Sequence, residues 1–231
     1  MRGELLAKGG SKNMEIQTKQ INVVIAYAED VLSFAQIKTI DIRNKIIELW
    51  DKQPIITQFP DIIAILEPAQ QLNITIQNRK VIIANNEISP FEARELDKFL
   101  QLVRSVGEIL SKKIMAYGYN YTFICPISSE NRDVVDSRMK EIVNFEEIGI
   151  SNTNIVAGGL NVIYKDTGKR LQISVAPQFA DDVNQLSSFV IQCNVHFTID
   201  QLPVFSELYN TFKSEHDNRK FFVENLLQKK T

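Results

Sequence analysis

The sequence contains few of the residue patterns from which common functional sites are built. Its 231 residues include two cysteines and two histidines. They form no CxxC pair and no Cys/His spacing typical of zinc sites. We therefore predict no metal site and no disulfide framework, and we interpret Cys125 and Cys193 as buried, reduced thiols. A disulfide between them stays open if their two strands are neighbours in the sheet.

Long apolar runs and charge runs are also missing. No stretch approaches the roughly 20 apolar residues that a membrane span needs, and no N-terminal segment has the pattern of a secretory signal. The net charge is −2 and the pI is about 5.8, without a cluster of Lys or Arg. We therefore expect a cytoplasmic protein that does not bind membranes, and nucleic-acid binding is disfavoured.

Two short motifs match the sequences of known functional sites, but the elements predicted around them do not fit those sites. Asp166-Thr167-Gly168 matches the aspartic-protease triplet, but no second triplet supplies the partner carboxylate that this chemistry needs. Between two amphipathic strands it is typical of a hairpin turn. Gly158-Gly159 lies inside a predicted strand and not between a strand and a helix. It therefore indicates a bulge or a close approach, and not a phosphate-binding loop.

The acidic residues show no ligand spacing either. Asp181-Asp182 and the pair Asp133 and Asp136 lie in predicted loops without an EF-hand pattern. We interpret both as solvated loop charge. Pro60-Asp61 is followed by Glu67-Pro68-Ala69, which lacks the lysine that a nuclease-type metal site requires, so we interpret this match as coincidence. We predict no catalytic residues and no cofactor.

Strand and helix signals, by contrast, are plentiful. We treat residues 1–13 as a flexible tail and residues 14–231 as a single α+β domain. The domain is predicted to consist of two pseudo-repeat halves, at about residues 20–111 and 112–229. Each half has the order strand, helix, three strands, long helix. Strands joined by tight turns predict antiparallel sheet, in one sheet or two, covered by helices.

Local signals place several of these elements. Asn78-Arg79 predicts a tight hairpin. Thr39 or Asp41 is predicted to cap the first helix, and Ser89 followed by Pro90 and Glu92 predicts the start of the second. A short helix is predicted at about 137–148, and a long closing helix from Leu202.

Alternation of side chains predicts the two faces of the later strands. The strand with Tyr117, Tyr119 and Tyr121 on one face has aromatic residues of the kind that often anchor interfaces. The strand at 189–199 and the strand before it, with Leu171, Ile173 and Val175 towards the core, carry uncharged polar residues on the opposite face. His216, in a charged patch of the closing helix, is expected at the surface.

A resemblance follows from three of these segments. The strand Tyr117 to Ile124, the strand Phe189 to Asp200 and the closing helix with Leu208 and Phe212 resemble a sporadically distributed family of uncharacterised bacterial proteins. The likeness covers much of the second half of the chain. It implies a fold and no activity.

The polar face of the later strands is the surface that we predict to contact a ligand or a partner. If the strands pair, a row of neutral hydrogen-bonding side chains results, formed by Gln172, Ser174, Gln178, Gln192, Asn194 and His196. Plain solvent exposure is the alternative reading. We expect a non-enzymatic structural or protein-interaction component, such as an oligomer or accessory subunit, that contacts a protein partner or itself. The alternative is a small-ligand-binding protein or enzyme with its site near His196.

Overall fold

The computed structural model describes residues 16–86, 93–128, 132–133, 137–138, 141, 159–180 and 186–227. Within them the chain forms three α-helices and one nine-stranded antiparallel sheet, which confirms the predicted α+β class. The strands are β1 (Gln17–Tyr27), β2 (Ile55–Gln58), β3 (Ile63–Glu67), β4 (Leu72–Gln77), β5 (Lys80–Asn85), β6 (Ile114–Pro126), β7 (Leu160–Asp166), β8 (Lys169–Phe179) and β9 (Leu186–Phe197). The helices are α1 (Leu32–Trp50), α2 (Ala93–Leu110) and α3 (Phe205–Leu227).

Several predictions fall outside the described residues. These are the tail at residues 1–13, the capping sequence at 89–92, and most of the short helix at about 137–148. Gly158 and Asp181-Asp182 are also outside.

Both halves of the chain contribute to the same sheet. The strand order is β2-β3-β4-β5-β1-β6-β9-β8-β7. The leading strand of each half, β1 or β6, therefore lies at the centre, and the two pair with each other in antiparallel orientation. The strands of the first half continue to one side and those of the second half to the other. Repetition of the two halves stays a prediction.

The predicted turns follow from local chemistry. Gln77 pairs with Lys80 across the Asn78-Arg79 turn. Asp166 pairs with Lys169 across Thr167-Gly168, where Gly168 has φ 73°. A glycine adopts this left-handed conformation without a steric penalty. The Asp-Thr-Gly triplet is thus a hairpin turn, as predicted.

The first helix and one strand differ from the prediction. The helix α1 begins at Leu32, so neither Thr39 nor Asp41 caps it, and the Asp30 carboxylate accepts a hydrogen bond from the Leu32 amide at 2.8 Å. The strand β2 was missed because it has only four residues, with Pro54 before it and Pro60 after it. Prolines at both ends are typical of a short edge strand.

One face of the sheet is buried under the helices. Alternate residues of the central strands point to this side, which we call the covered face, and almost all of them are apolar. Phe212 of α3 packs against the rings of Tyr119 and Tyr121, with ring centroids 5.0 and 5.1 Å apart. The Tyr121 hydroxyl donates a hydrogen bond to the Phe212 carbonyl oxygen at 2.8 Å. These tyrosines, with Tyr117, belong to the core of this chain, so they are not free to anchor an interface.

Candidate functional site

The opposite side of the sheet, here called the open face, carries the side chains between those of the covered face. The three described helices all pack on the covered face, through one hydrophobic cluster. The strands β8 and β9 pair as the sequence prediction required, with Gln172 opposite Asn194 and Ser174 opposite Gln192. His196 lies opposite Arg170. Gln178 lies farther along β8 from these residues, opposite Ser188. Its side-chain oxygen accepts a hydrogen bond from the Ser188 hydroxyl at 3.0 Å.

Amide side chains form a continuous row across the middle of the open face. Asn22, Asn120, Asn194 and Gln172 occupy paired positions on the adjacent strands β1, β6, β9 and β8. The Asn120 amide donates a hydrogen bond to the Asn22 side-chain oxygen. Each amide group offers both donors and acceptors, so this row can bond to a partner of either polarity.

A shallow depression lies beside the amide row, because the neighbouring positions have small side chains. Its floor contains Ala26, Ala116 and Gly118. A Cβ atom at Gly118 would lie 2.9 Å from the Val195 carbonyl oxygen, so the two strands leave no room for a larger residue there. The depression has a volume of about 250 Å³, and its polar lining comes from Asn120, Arg170, Gln172, Asn194 and His196. Three of the six residues predicted from the sequence therefore meet at this place.

Basic side chains flank the same depression. Lys165, Arg170 and His196 are consecutive partners on β7, β8 and β9. Lys165 and Arg170 are exposed, and none of the ion pairs within the described residues involves either of them. From the sequence alone, Lys165 and Arg170 were recognisable only as charged residues beside the Asp166-Thr167-Gly168 turn, and they were not predicted as part of the site. Their alignment with His196 depends on the pairing of β8 with β9.

A second polar cluster lies on the covered side, between the β7–β8 hairpin and α3. Glu215 is buried and pairs with Lys169 at 2.5 Å and with Arg219 at 3.4 Å. Arg219 also donates a hydrogen bond to the Tyr164 hydroxyl at 2.8 Å. The cluster joins three elements, and its charges are paired with one another. Such mutual pairing is what a structural ion network requires.

His216 is buried, contrary to the prediction that it lies at the surface. It is 4% exposed, and its ring centroid is 5.4 Å from those of both Tyr121 and Phe123. The reason is helical spacing: Phe212, His216 and Arg219 continue the buried stripe of α3 through a segment that is polar in sequence. Burial lowers the pKa of the His216 imidazole, against the opposing effect of Asp217.

The contacts of His216 have the order of a catalytic triad. Its Nε2 atom is 2.9 Å from the Thr18 hydroxyl, and its Nδ1 atom is 3.1 Å from the Asp217 carboxylate. A working triad needs a substrate site beside the nucleophile and a held carboxylate behind the base. Thr18 lies on the covered face beneath α3 and does not line the depression, and the Asp217 side chain is 63% exposed. The arrangement therefore serves to fasten α3 to β1.

Both cysteines are buried thiols, as predicted. Cys193 is opposite Tyr121 and Cys125 is opposite Phe189, so the two thiols are four residues apart along neighbouring strands. Burial raises the pKa of Cys125 to about 11 and that of Cys193 to about 12. Both thiols are therefore protonated and unreactive at neutral pH.

Over the part of the chain that the structure describes, no three His, Cys, Asp or Glu side chains converge in a way that could hold a metal ion. In the same residues, no helix is long and apolar enough to cross a membrane. Comparison of the sequence with models of known protein families, and with curated proteins, finds no match.

Proposed function

We propose that this protein is a non-enzymatic interaction component that binds a protein partner, or a second copy of itself, through the open face. The observation that carries the proposal is the composition of this face. It is the side of a nine-stranded sheet opposite all three described helices, and its centre holds neutral side chains: amides, hydroxyls, small residues and the branched apolar residues Val24, Ile124 and Val190. A sheet face that only meets water usually carries more Lys and Glu.

The dimensions of the open face suit a protein partner. Eight strand spacings of about 4.8 Å and five to six residues of about 3.3 Å each give a surface of roughly 38 by 18 Å. That is on the order of 700 Å², close to the roughly 800 Å² that each partner buries in a standard-size interface. The central amide row would supply the hydrogen bonds that such an interface contains.

Two finer expectations from the sequence belong to this proposal. One is a cytoplasmic location. The other is the origin of the two halves from one repeated unit, which is supported by the placement of β1 and β6 side by side with β5 and β9 as their outer neighbours.

Site-specific photo-crosslinking tests the proposal directly. A photoreactive residue at Gln192, on the open face, should give a crosslinked species of one defined mass in cells. Lys213, exposed on α3 on the other side of the sheet, is the matched control position and should give none. Light scattering of the purified protein then shows whether the partner is a second copy. A monomer that forms the same adducts from both positions, or none from Gln192, would contradict the proposal.

A second candidate function is favoured by one specific observation, the depression at Gly118. Its small floor and convergent polar lining are features of a small-ligand site. A thermal shift against a panel of nucleotides and metabolites tests it. A stabilising ligand whose effect is lost in His196→Ala would support this candidate, and a flat panel would leave the protein partner as the occupant.

A further inference from the structure

We infer that the open face recognises an acidic segment of its partner protein, and that a carboxylate of this segment binds at Lys165 and Arg170 beside the depression. The inference rests on the proposed function and adds to it the chemistry of the partner.

The charged side chains of the open face have one sign. Among the regularly paired open-face positions of the described strands, the charged side chains are Lys80, Lys165 and Arg170. None of these positions holds Asp or Glu, although the chain has 28 acidic and 26 basic residues. A protein with a net charge of −2 thus presents only basic charges at these described strand positions. Complementary surfaces carry the opposite sign.

Two of these basic side chains lie close together on neighbouring strands. Lys165 and Arg170 are directly opposite each other on β7 and β8. Like charges at such positions destabilise a sheet, and an anion between them would relieve the repulsion. The same hairpin shows the alternative arrangement, because Lys169 points to the covered face and is neutralised there by Glu215. The open-face pair has no such partner in the described residues.

The groups in and around this basic pair match a carboxylate. A guanidinium group matches a carboxylate with two parallel hydrogen bonds. Asn194 and Gln172 of the adjacent amide row offer further N–H donors. The glycine at position 118 lowers the neighbouring surface, so that the main chain of an incoming segment can approach the sheet.

The same features favour an acidic protein segment over nucleic acid. Nucleic-acid binding requires a stripe of many phosphate contacts, and here three cations lie among neutral amides, with Lys80 four strands away from Arg170. The depression also opens to solvent on the open face, so a side chain that belongs to a larger surface can enter it.

Fluorescence anisotropy with a fluorescein-labelled hexaglutamate peptide tests the inference at low salt. The wild type should bind the peptide, and hexaglutamine should not bind. The double variant Lys165→Gln/Arg170→Gln should bind hexaglutamate at least tenfold more weakly. The matched control Lys52→Gln/Lys213→Gln removes the same charge from exposed positions elsewhere and should bind within twofold of the wild type.

Three outcomes would overturn the inference: absence of hexaglutamate binding, equal weakening in both double variants, or Arg170-dependent binding of inorganic phosphate or single-stranded RNA in place of the peptide. Crosslinking from Gln192 separates these failures from failure of the proposed function. If the Gln192 adduct persists in the Lys165→Gln/Arg170→Gln variant, the open face is still the interface and only the acidic chemistry is wrong.

Discussion

Single residues decide how closely the strands of this sheet approach. At Gly118 a Cβ atom would lie 2.9 Å from a main-chain oxygen of β9, which cannot move without shifting the strand. At Gly107 of α2 the nearest atom, at 2.7 Å, belongs to the Leu202 side chain, which can rotate away. A side chain at Gly118 would therefore meet a fixed main-chain atom, and one at Gly107 would meet a movable side chain.

We predict that Gly118→Ala lowers the free energy of unfolding by about 1–3 kcal/mol, the range for overpacked sites. Gly107→Ala should cost less, because alanine gains about 1 kcal/mol of helix propensity over glycine. Urea unfolding at neutral pH measures both. Equal destabilisation by the two substitutions would show that the β6–β9 approach is not tight.

The burial of His216 predicts a dependence of stability on pH. Burial lowers its pKa in the folded state, whereas in the unfolded chain the pKa is about 6.5. As the pH falls below that value, the unfolded state takes up a proton that the folded state refuses, so the free energy of unfolding decreases. The decrease begins near the unfolded pKa and ends below the folded pKa.

Urea unfolding at pH 7.5 and 5.5 checks this prediction. The difference in the free energy of unfolding between the two pH values should be smaller in His216→Gln than in the wild type. His196→Gln changes the other histidine of the chain, which is exposed, and should keep the wild-type difference. If the difference between the two pH values disappears in His196→Gln, the effect belongs to His196, and the prediction for His216 is wrong.

At the scale of elements, the β7–β8 hairpin and α3 are joined by ions as well as by apolar contacts. Glu215 lies between the side chains of Lys169 and Arg219, all three of them less than a fifth exposed. Removal of the carboxylate would leave the Arg219 guanidinium without the carboxylate it pairs with, and Lys169 with only its 3.5 Å pair to the exposed Asp166.

We predict that Glu215→Gln destabilises the protein by about 3–5 kcal/mol, the range for a broken buried ion pair. Asp41→Asn breaks the exposed pair with Lys38 and should cost less than about 1 kcal/mol. Thermal and urea unfolding measure the contrast. A loss below about 1 kcal/mol for Glu215→Gln would mean that water screens the cluster.

Elements with strong local signals could be predicted from the sequence. The turns at Asn78-Arg79 and Thr167-Gly168 were identified because their residues favour few other conformations. The missed elements had weak or misleading signals: β2 is four residues long, and α1 begins before its clear apolar repeat. The burial of Glu215 and His216 was missed because polar residues seldom occupy an apolar stripe, although their helical spacing pointed to it.

For the whole molecule, the sheet order could not be predicted, because it depends on contacts between distant segments. Local hairpins account for β2 to β5 and for β7 to β9, but the pairings of β1 with β5 and β6 join residues far apart in the sequence. The alignment of Lys165, Arg170 and His196 depends instead on the register of two local pairings, β7 with β8 and β8 with β9, which the sequence prediction left open. The neutral polar residues of the candidate surface could thus be predicted from the sequence, but the basic residues beside them could not.

The sheet order predicts a gradient of local stability. The strands β1 and β6 have a partner on each side and lie under the helices, whereas β2 and β7 have only one partner within the described residues. Hydrogen exchange followed by mass spectrometry should show the slowest amides in β1 and β6 and the fastest strand amides in β2 and β7. Faster exchange in β1 than in β2 would contradict the central placement of β1.

The central position of β1 also has a consequence for synthesis on the ribosome. Its apolar segment around Val23 is synthesised about 90 residues before its partner β6, which begins at residue 114. At roughly 5–20 residues per second, that partner follows on the order of 5–20 s later. During this interval β1 can pair with β5, but its other edge is unpaired on the nascent chain. We therefore expect the growing polypeptide to depend on chaperone protection until the second half has been translated.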